Sequence, residues 1–235
     1  MLQLFKEILS ITRGIKGEEP SMSKTKIILI RHGQSIGNYY RNFLGHTNLD
    51  LTELGYQQAQ CCAKYLKDEH IDVIFASDLI RAYNTIMPLA NEKNLEIIRN
   101  SQLREIYAGD WENMHVDDIM SKYEKEFTTW KTDIGNCCCT NGESVLHLQD
   151  RIYAEILKIA NDNLGKTVCI GTHATPIRTF WAKINSMGKD EIKNIPWATN
   201  ASVTRVEYCD NEFIPVCYSY DEFLGEKKVN MFKNI

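Results

Sequence analysis

Long apolar runs are missing from this 235-residue chain. None approaches the roughly 18 consecutive residues that a membrane-spanning helix needs, so no membrane partner is expected. A strong charge of one sign is missing too. Against 27 Lys and Arg stand 31 Asp and Glu, a net charge of −4, which argues against nucleic acid or an anionic membrane surface as the main partner. An acidic chain that acts on anions must then gather its positive charge locally. The eight cysteines include no C-x-x-C pair, so the zinc signal is weak, and the run Cys137 to Cys139 does not suit a disulfide framework. They read as reduced thiols of a cytoplasmic protein. Phosphate-binding loops are absent as well: there is no G-x-x-x-x-G-K-[ST], no G-x-G-x-x-G, no cysteine followed five residues later by arginine, and no Asp-x-Asp. No metal and no cofactor is expected, and no serine is taken as a nucleophile.

What is present alternates between strand and helix patterns. Lys26 to Ile30 is a continuous apolar run of the kind that forms a strand buried on both faces. Thr52 is a plausible cap for a helix reaching about Lys67. Ile71 to Ser77 is a second strand, and Ser77 or Asp78 is expected to cap a helix containing Arg81. Leu95 to Arg99 is a third strand, and Ser144 opens a long amphipathic helix. Thr167 to Thr172 is a strand ending at His173, with Pro176 near the start of the next helix. The segments 202–208 and 213–218 read as a closing hairpin whose exposed edge could support a homodimer. The class is α/β: a three-layer sandwich with a mostly parallel central sheet, helices on both faces and a small cap over the carboxyl edge of the strands. Residues 22–235 are expected to form one domain, with the irregular stretch 103–143 as the cap. In residues 1–21, Leu2, Leu4, Phe5, Ile8, Leu9 and Ile11 could share one helix face. Translation from Met22 would leave that extension out of the native protein, which intact mass would decide.

Ligands of open α/β sheets bind at the carboxyl ends of the strands. Arg31 and His32 follow the first strand, Arg81 comes one turn after the second, and His173 follows the 167–172 strand. Two guanidinium forks and two imidazoles converging at one edge suit a phosphate dianion. A neutral imidazole is also a good nucleophile near neutral pH. The segment Leu29-Ile-Arg-His-Gly-Gln-Ser35 with Asn38 resembles the phosphohistidine signature of the histidine phosphatase superfamily, which includes the cofactor-dependent phosphoglycerate mutases. Further blocks agree in order and spacing: Gly45 to Gly55 with Gln58, Ser77-Asp-Leu-Ile-Arg-Ala-Tyr-Asn-Thr85, Leu103-Arg-Glu-Ile-Tyr-Ala-Gly-Asp-Trp-Glu112, Gly142-Glu-Ser144 with Arg151, and Gly171-Thr-His-Ala-Thr-Pro-Ile-Arg178.

The resemblance implies roles. His32 attacks phosphorus; Arg31, Arg81 and His173 hold the equatorial oxygens; Asn38 donates to the same oxygens. Glu105 protonates the leaving oxygen and then activates water, Glu112 being its rival for that part. The chain departs from many relatives at Asn48, where they have Asp, and at Ala174-Thr175, where glycine is common. It resembles the phosphatase branch, because Ile106 to Asp110 follows the acid where mutases carry an Arg-His-Tyr run. The expected activity is hydrolysis of small phosphorylated metabolites; the rivals are a mutase and an inactive regulatory relative. His46, His70, His115 and His147 lack strand-end placement and read as structural or solvated. Tyr107, Trp111 and Trp130 read as cap core.

Overall fold

The computed structural model describes residues 24–229; the helix face expected in residues 1–21 and the start at Met22 lie outside the described residues. The fold is organised by a strand with no solvent face. Strand β1 (Thr25–Arg31) turns Ile27 and Leu29 toward one core and Ile28 and Ile30 toward another. Each of these four side chains is fully buried, and such burial stabilises by about 1.5–3 kcal/mol per side chain. On either side lie β6 (Thr167–Thr172), parallel to β1, and β7 (Val203–Cys209), antiparallel to it. Strands β3 (Val73–Ala76) and β4 (Ile97–Arg99) extend the parallel part, and β8 (Glu212–Tyr220) closes the other edge. The six-strand order is β4-β3-β6-β1-β7-β8.

Helices α2 (Glu53–Tyr65) and α3 (Ile80–Lys93) cover one face through Cys62, Leu66, Ile86 and Leu89. Helices α6 (Val145–Asp162) and α7 (Ala174–Ile184) cover the other through Ile152, Ile156, Ile177 and Phe180. Ahead of α2 come the single turn α1 (Ile36–Tyr39) and the short strand β2 (Asn42–Phe43), which pairs antiparallel with β5 (Met114–His115). That ribbon ties the loop after β1 to helices α4 (Val116–Lys122) and α5 (Glu124–Thr132). Trp111, Phe127 and Trp130 fill the space beneath it with edge-on ring contacts, and this apolar cluster is continuous with the core under α6 and α7.

Two local expectations are corrected. Neither Ser77 nor Asp78 caps α3: Leu79 holds the cap position without a side-chain bond. Asp78 is drawn instead into a paired hydrogen bond with the Arg104 guanidinium, and the first free amide of α3, on Ile80, donates to Asn48 Oδ1 at 2.7 Å. Tyr107 is not cap core; its side chain is 46% exposed and only its backbone is engaged with the 142–143 turn.

The loop that follows His32 sits directly on the first turn of α2. A Cβ on Gly33 would lie 2.6 Å from Gly55 O, and one on Gly55 would lie 2.1 Å from Gln34 O. Thr52 caps α2 through Gly55 N–H and gives its hydroxyl proton to Gln34, while Gln58 Oε1 accepts the Gln34 amide at 2.8 Å. Gly55→Ala should therefore lower stability by about 1–3 kcal/mol through overpacking against backbone. The exposed control Gln57→Ala should stay within about 0.5 kcal/mol in the same urea titration.

Candidate active site

The carboxyl ends of β1, β3 and β6 bring His32, Ser77 and His173 together. The imidazoles of His32 and His173 meet edge to face with ring centroids 5.2 Å apart. His32 Nδ1 lies 2.7 Å from Gly33 O. A carbonyl can only accept, so Nδ1 carries the proton and Nε2 keeps the lone pair. His173 Nε2 lies 2.9 Å from Ser77 Oγ, which itself accepts from Leu79 N–H. The Ser77 hydroxyl can give its proton to Nε2, which leaves the buried, unpartnered Nδ1 of His173 as a donor.

Two guanidinium groups share this floor. Arg81 donates to Gly45 O and Thr47 O, each at 2.8 Å, and Arg31 donates to Ala198 O. Burial pulls both guanidinium groups down to about 10, against the charge of Glu105, and both stay charged at neutral pH. Burial first, and then the charges of Arg81 and Arg31, hold His32 well below 6.5; burial and Arg81 do the same to His173. Both imidazoles are therefore neutral at pH 7. Asn38 Oδ1 accepts from Ser35 N–H and from Asn200 Nδ2, which turns its own amide nitrogen to the pocket as a donor. All six residues singled out in the sequence, Arg31, His32, Asn38, Arg81, Glu105 and His173, stand at or against this cluster. All but His173 line a cavity of about 160 Å³.

The two candidate acids separate cleanly. Glu105 lines the cavity, with one oxygen held by Ile106 N–H at 2.9 Å and the other 3.5 Å from Thr175 N. The Glu112 carboxylate is occupied elsewhere. It accepts from His46 N–H, Thr47 N–H, the Thr47 hydroxyl and Ala108 N–H at 2.6–3.0 Å. It thus clasps the turn whose carbonyls grip Arg81 to the segment that carries Glu105. Gly45, at φ +49°, has no room for a side chain, because a Cβ would fall 2.2 Å from a Glu112 oxygen.

Several supports were not legible in the sequence. Arg151 pairs with Glu143 through two bonds and donates to Gln102 O, Arg104 O and Glu105 O, pinning the stretch of backbone that presents Glu105. Both residues stood in a motif, but nothing in their spacing names the carbonyls they hold. Asn200 donates to His32 O as well as to Asn38, and no pattern announced it. His46 Nε2 donates to Glu105 O at 2.9 Å. The order Gly33-Gln34-Ser35-Ile36-Gly37 spells the G-x-S-x-G pattern, which corrects the expectation that no serine elbow is present. Ser35 is fully buried, and its Oγ caps α1 by accepting from Asn38 N–H, so it is not presented as a nucleophile.

Comparison with known proteins bears on the same elements. The family model described as the histidine phosphatase superfamily (branch 1) matches residues 27–220. The chain belongs to this family. Phosphoserine phosphatase 1 of Hydrogenobacter thermophilus is 33% identical over 159 residues, 68% of this chain and 75% of that protein. A 2,3-bisphosphoglycerate-dependent phosphoglycerate mutase of Allorhizobium ampelinum is 31% identical over 181 residues, 74% of this chain and 85% of that one. Among solved structures, Bacillus stearothermophilus YhfR superposes with a TM-score of 0.82 at 26% identity, covering 85% of this chain and 99% of its own. Like the family it joins, the chain is a phosphatase-type enzyme with a mostly parallel sheet.

Two outcomes follow from this geometry. Glu112→Gln offers one acceptor oxygen where two are used, so it should cost about 2 kcal/mol or more in a denaturant titration, whereas a surface exchange such as Glu92→Gln should not. The second concerns pH. A histidine held neutral in the fold binds its proton more readily when unfolded, so stability is lost as pH falls below 6.5. His32 and His173 should each contribute up to about 1.4 kcal/mol per pH unit to that loss. Thermal midpoints between pH 7.5 and 5.0 should fall, and fall less in His173→Gln.

Proposed function

We propose that this protein is a phosphomonoesterase acting through a phosphohistidine on His32. The observation that carries the reading is the pinned tautomer: Nδ1 bonded to Gly33 O leaves Nε2 as a lone-pair nitrogen inside a pocket that also holds two guanidinium groups. In the first step Nε2 attacks phosphorus, and the bond from phosphorus to the ester oxygen breaks as Glu105 gives that oxygen its proton. Arg31, Arg81, the Nδ1–H of His173 and the Asn38 amide hold the equatorial oxygens and oppose the charge that grows there. In the second step the Glu105 carboxylate takes a proton from water, the water oxygen attacks phosphorus, and the N–P bond returns its electrons to Nε2. Glu105 supports this part better than Glu112, whose oxygens are already filled with backbone and hydroxyl donors.

The donors of the phosphoryl group are small phosphorylated metabolites. A reducing compartment, the cytoplasm, is consistent with eight cysteines that are all unpaired. Burial pushes the Cys137 thiol up to about 12, which makes it an inert core side chain and not a redox site.

The expected results are these. His32→Ala should abolish phosphate release from p-nitrophenyl phosphate and the acid-labile phosphoryl label that mass spectrometry finds on the wild-type enzyme during turnover. Glu105→Gln should lower kcat by about 10²–10⁴-fold for alkyl esters, with KM little changed. A His32→Ala enzyme that still turns over rejects the covalent route. Rapid isomerisation of 3-phosphoglycerate with little phosphate release would make the chain a mutase instead.

A further inference from the structure

The cavity has two chemically distinct halves. Its buried floor is the cationic cluster described above. Its wall is apolar and aromatic, built from Phe43, Val116, Phe127, Trp130 and Trp197. Phe43 stands nearly edge-on to Trp130 at 4.9 Å, and Trp197 stacks on Trp130 at 5.7 Å and 28°. The Arg178 guanidinium lies 4.3 Å from the Trp197 ring centre, which holds that ring in place from another direction. These rings are set in one orientation before any ligand arrives, and they belong to the same core that closes the ribbon. The whole cavity, floor and wall together, measures about 160 Å³, so a phosphate on the floor places the alcohol of its ester directly against the ring wall.

At the exposed end of the same lining sit Lys131 and Arg41. Arg41 is paired with Asp117 at 3.4 Å. Lys131 has no ion-pair or hydrogen-bond partner among the described residues. Among the described residues the single carboxylate in the lining is Glu105, which is engaged with the proton chemistry. A zwitterionic alcohol such as serine would bring an ammonium group into a lining that already holds Arg31, Arg81, Arg41 and Lys131, whereas an anionic substituent meets opposite charge there.

Resting on the phosphomonoesterase reading, we propose that the enzyme is specific for phosphate esters of alcohols that carry an aromatic ring and a second anionic group. The ring packs against the wall that Phe43, Trp130 and Trp197 form, and the distal anion is met by Lys131.

The test compares esters of ordinary alcohols, so that leaving-group acidity does not decide the outcome: benzyl phosphate, para-carboxybenzyl phosphate, glycerol phosphate and O-phosphoserine. The kcat/KM for benzyl phosphate should exceed those for glycerol phosphate and O-phosphoserine by at least about 30-fold, as expected for burying one ring. The para-carboxybenzyl ester should be the better of the two ring substrates. Trp130→Leu should shrink the benzyl-to-glycerol ratio by about 3–10-fold. Lys131→Ala, an exposed change that leaves the core intact, should cut the carboxybenzyl-to-benzyl ratio by about 2–5-fold. Equal rates on all four esters, or a preference for O-phosphoserine, overturn the inference and leave the phosphatase reading standing. A protein inert on all four and on p-nitrophenyl phosphate rejects both.

Discussion

Two buried guanidinium groups set the terms for the rest of this molecule. Taking a charge out of water costs several kcal/mol per ion unless polar groups replace the solvent. Arg81 is given two backbone carbonyls from a single turn, and Arg31 a carbonyl from the loop before β7. Those carbonyls must be held still in their turn. Glu112 fixes the 45–47 turn, the glycine at 45 makes room for that carboxylate, and Asn48 links the end of the same turn to the start of α3, where Arg81 itself resides. The charge, its cradle and the brace of the cradle form one closed arrangement, and both histidines are held neutral by their burial first and by the positive field of this arrangement second.

The elements that stand at strand ends were readable because strand and helix patterns are local. The apolar run before Arg31, the 167–172 strand before His173 and the cap Thr52 are each written within a few consecutive residues. The spacing of Arg81 from its strand placed it correctly even though the cap of its helix was misassigned. That error has a physical source: Asp78 is a good helix cap in isolation, but Arg104, 26 residues later, offers a stronger partner. The same applies to Glu143 with Arg151, to Asn200 beneath His32, and to Glu112. Their partners are mostly backbone carbonyls and amides, which leave no signature in a sequence. Tyr107 was misplaced for a related reason, since an aromatic in a buried segment reads as core whether its ring turns inward or out.

Two similar carboxylates of one segment are held in opposite ways. Glu105 and Glu112 lie seven residues apart in one segment, and both approach the 45–47 turn. One has each oxygen loosely held by a single amide at the cavity wall; the other is saturated by four donors. The carboxylate with few bonds keeps acceptor capacity facing the cavity, and the one with many braces the turn.

Trp130 belongs at once to the wall of the cavity and to the apolar cluster that runs on under α6 and α7. Recognition and stability are therefore drawn from the same side chains. A lineage that exchanges these rings to accept a different alcohol must repack part of its core in the same step. Changes at the exposed rim, around Lys131 and Arg41, carry no such burden. Divergence among relatives of this chain should accordingly begin at the mouth of the pocket and reach its walls only where the fold has stability to spare.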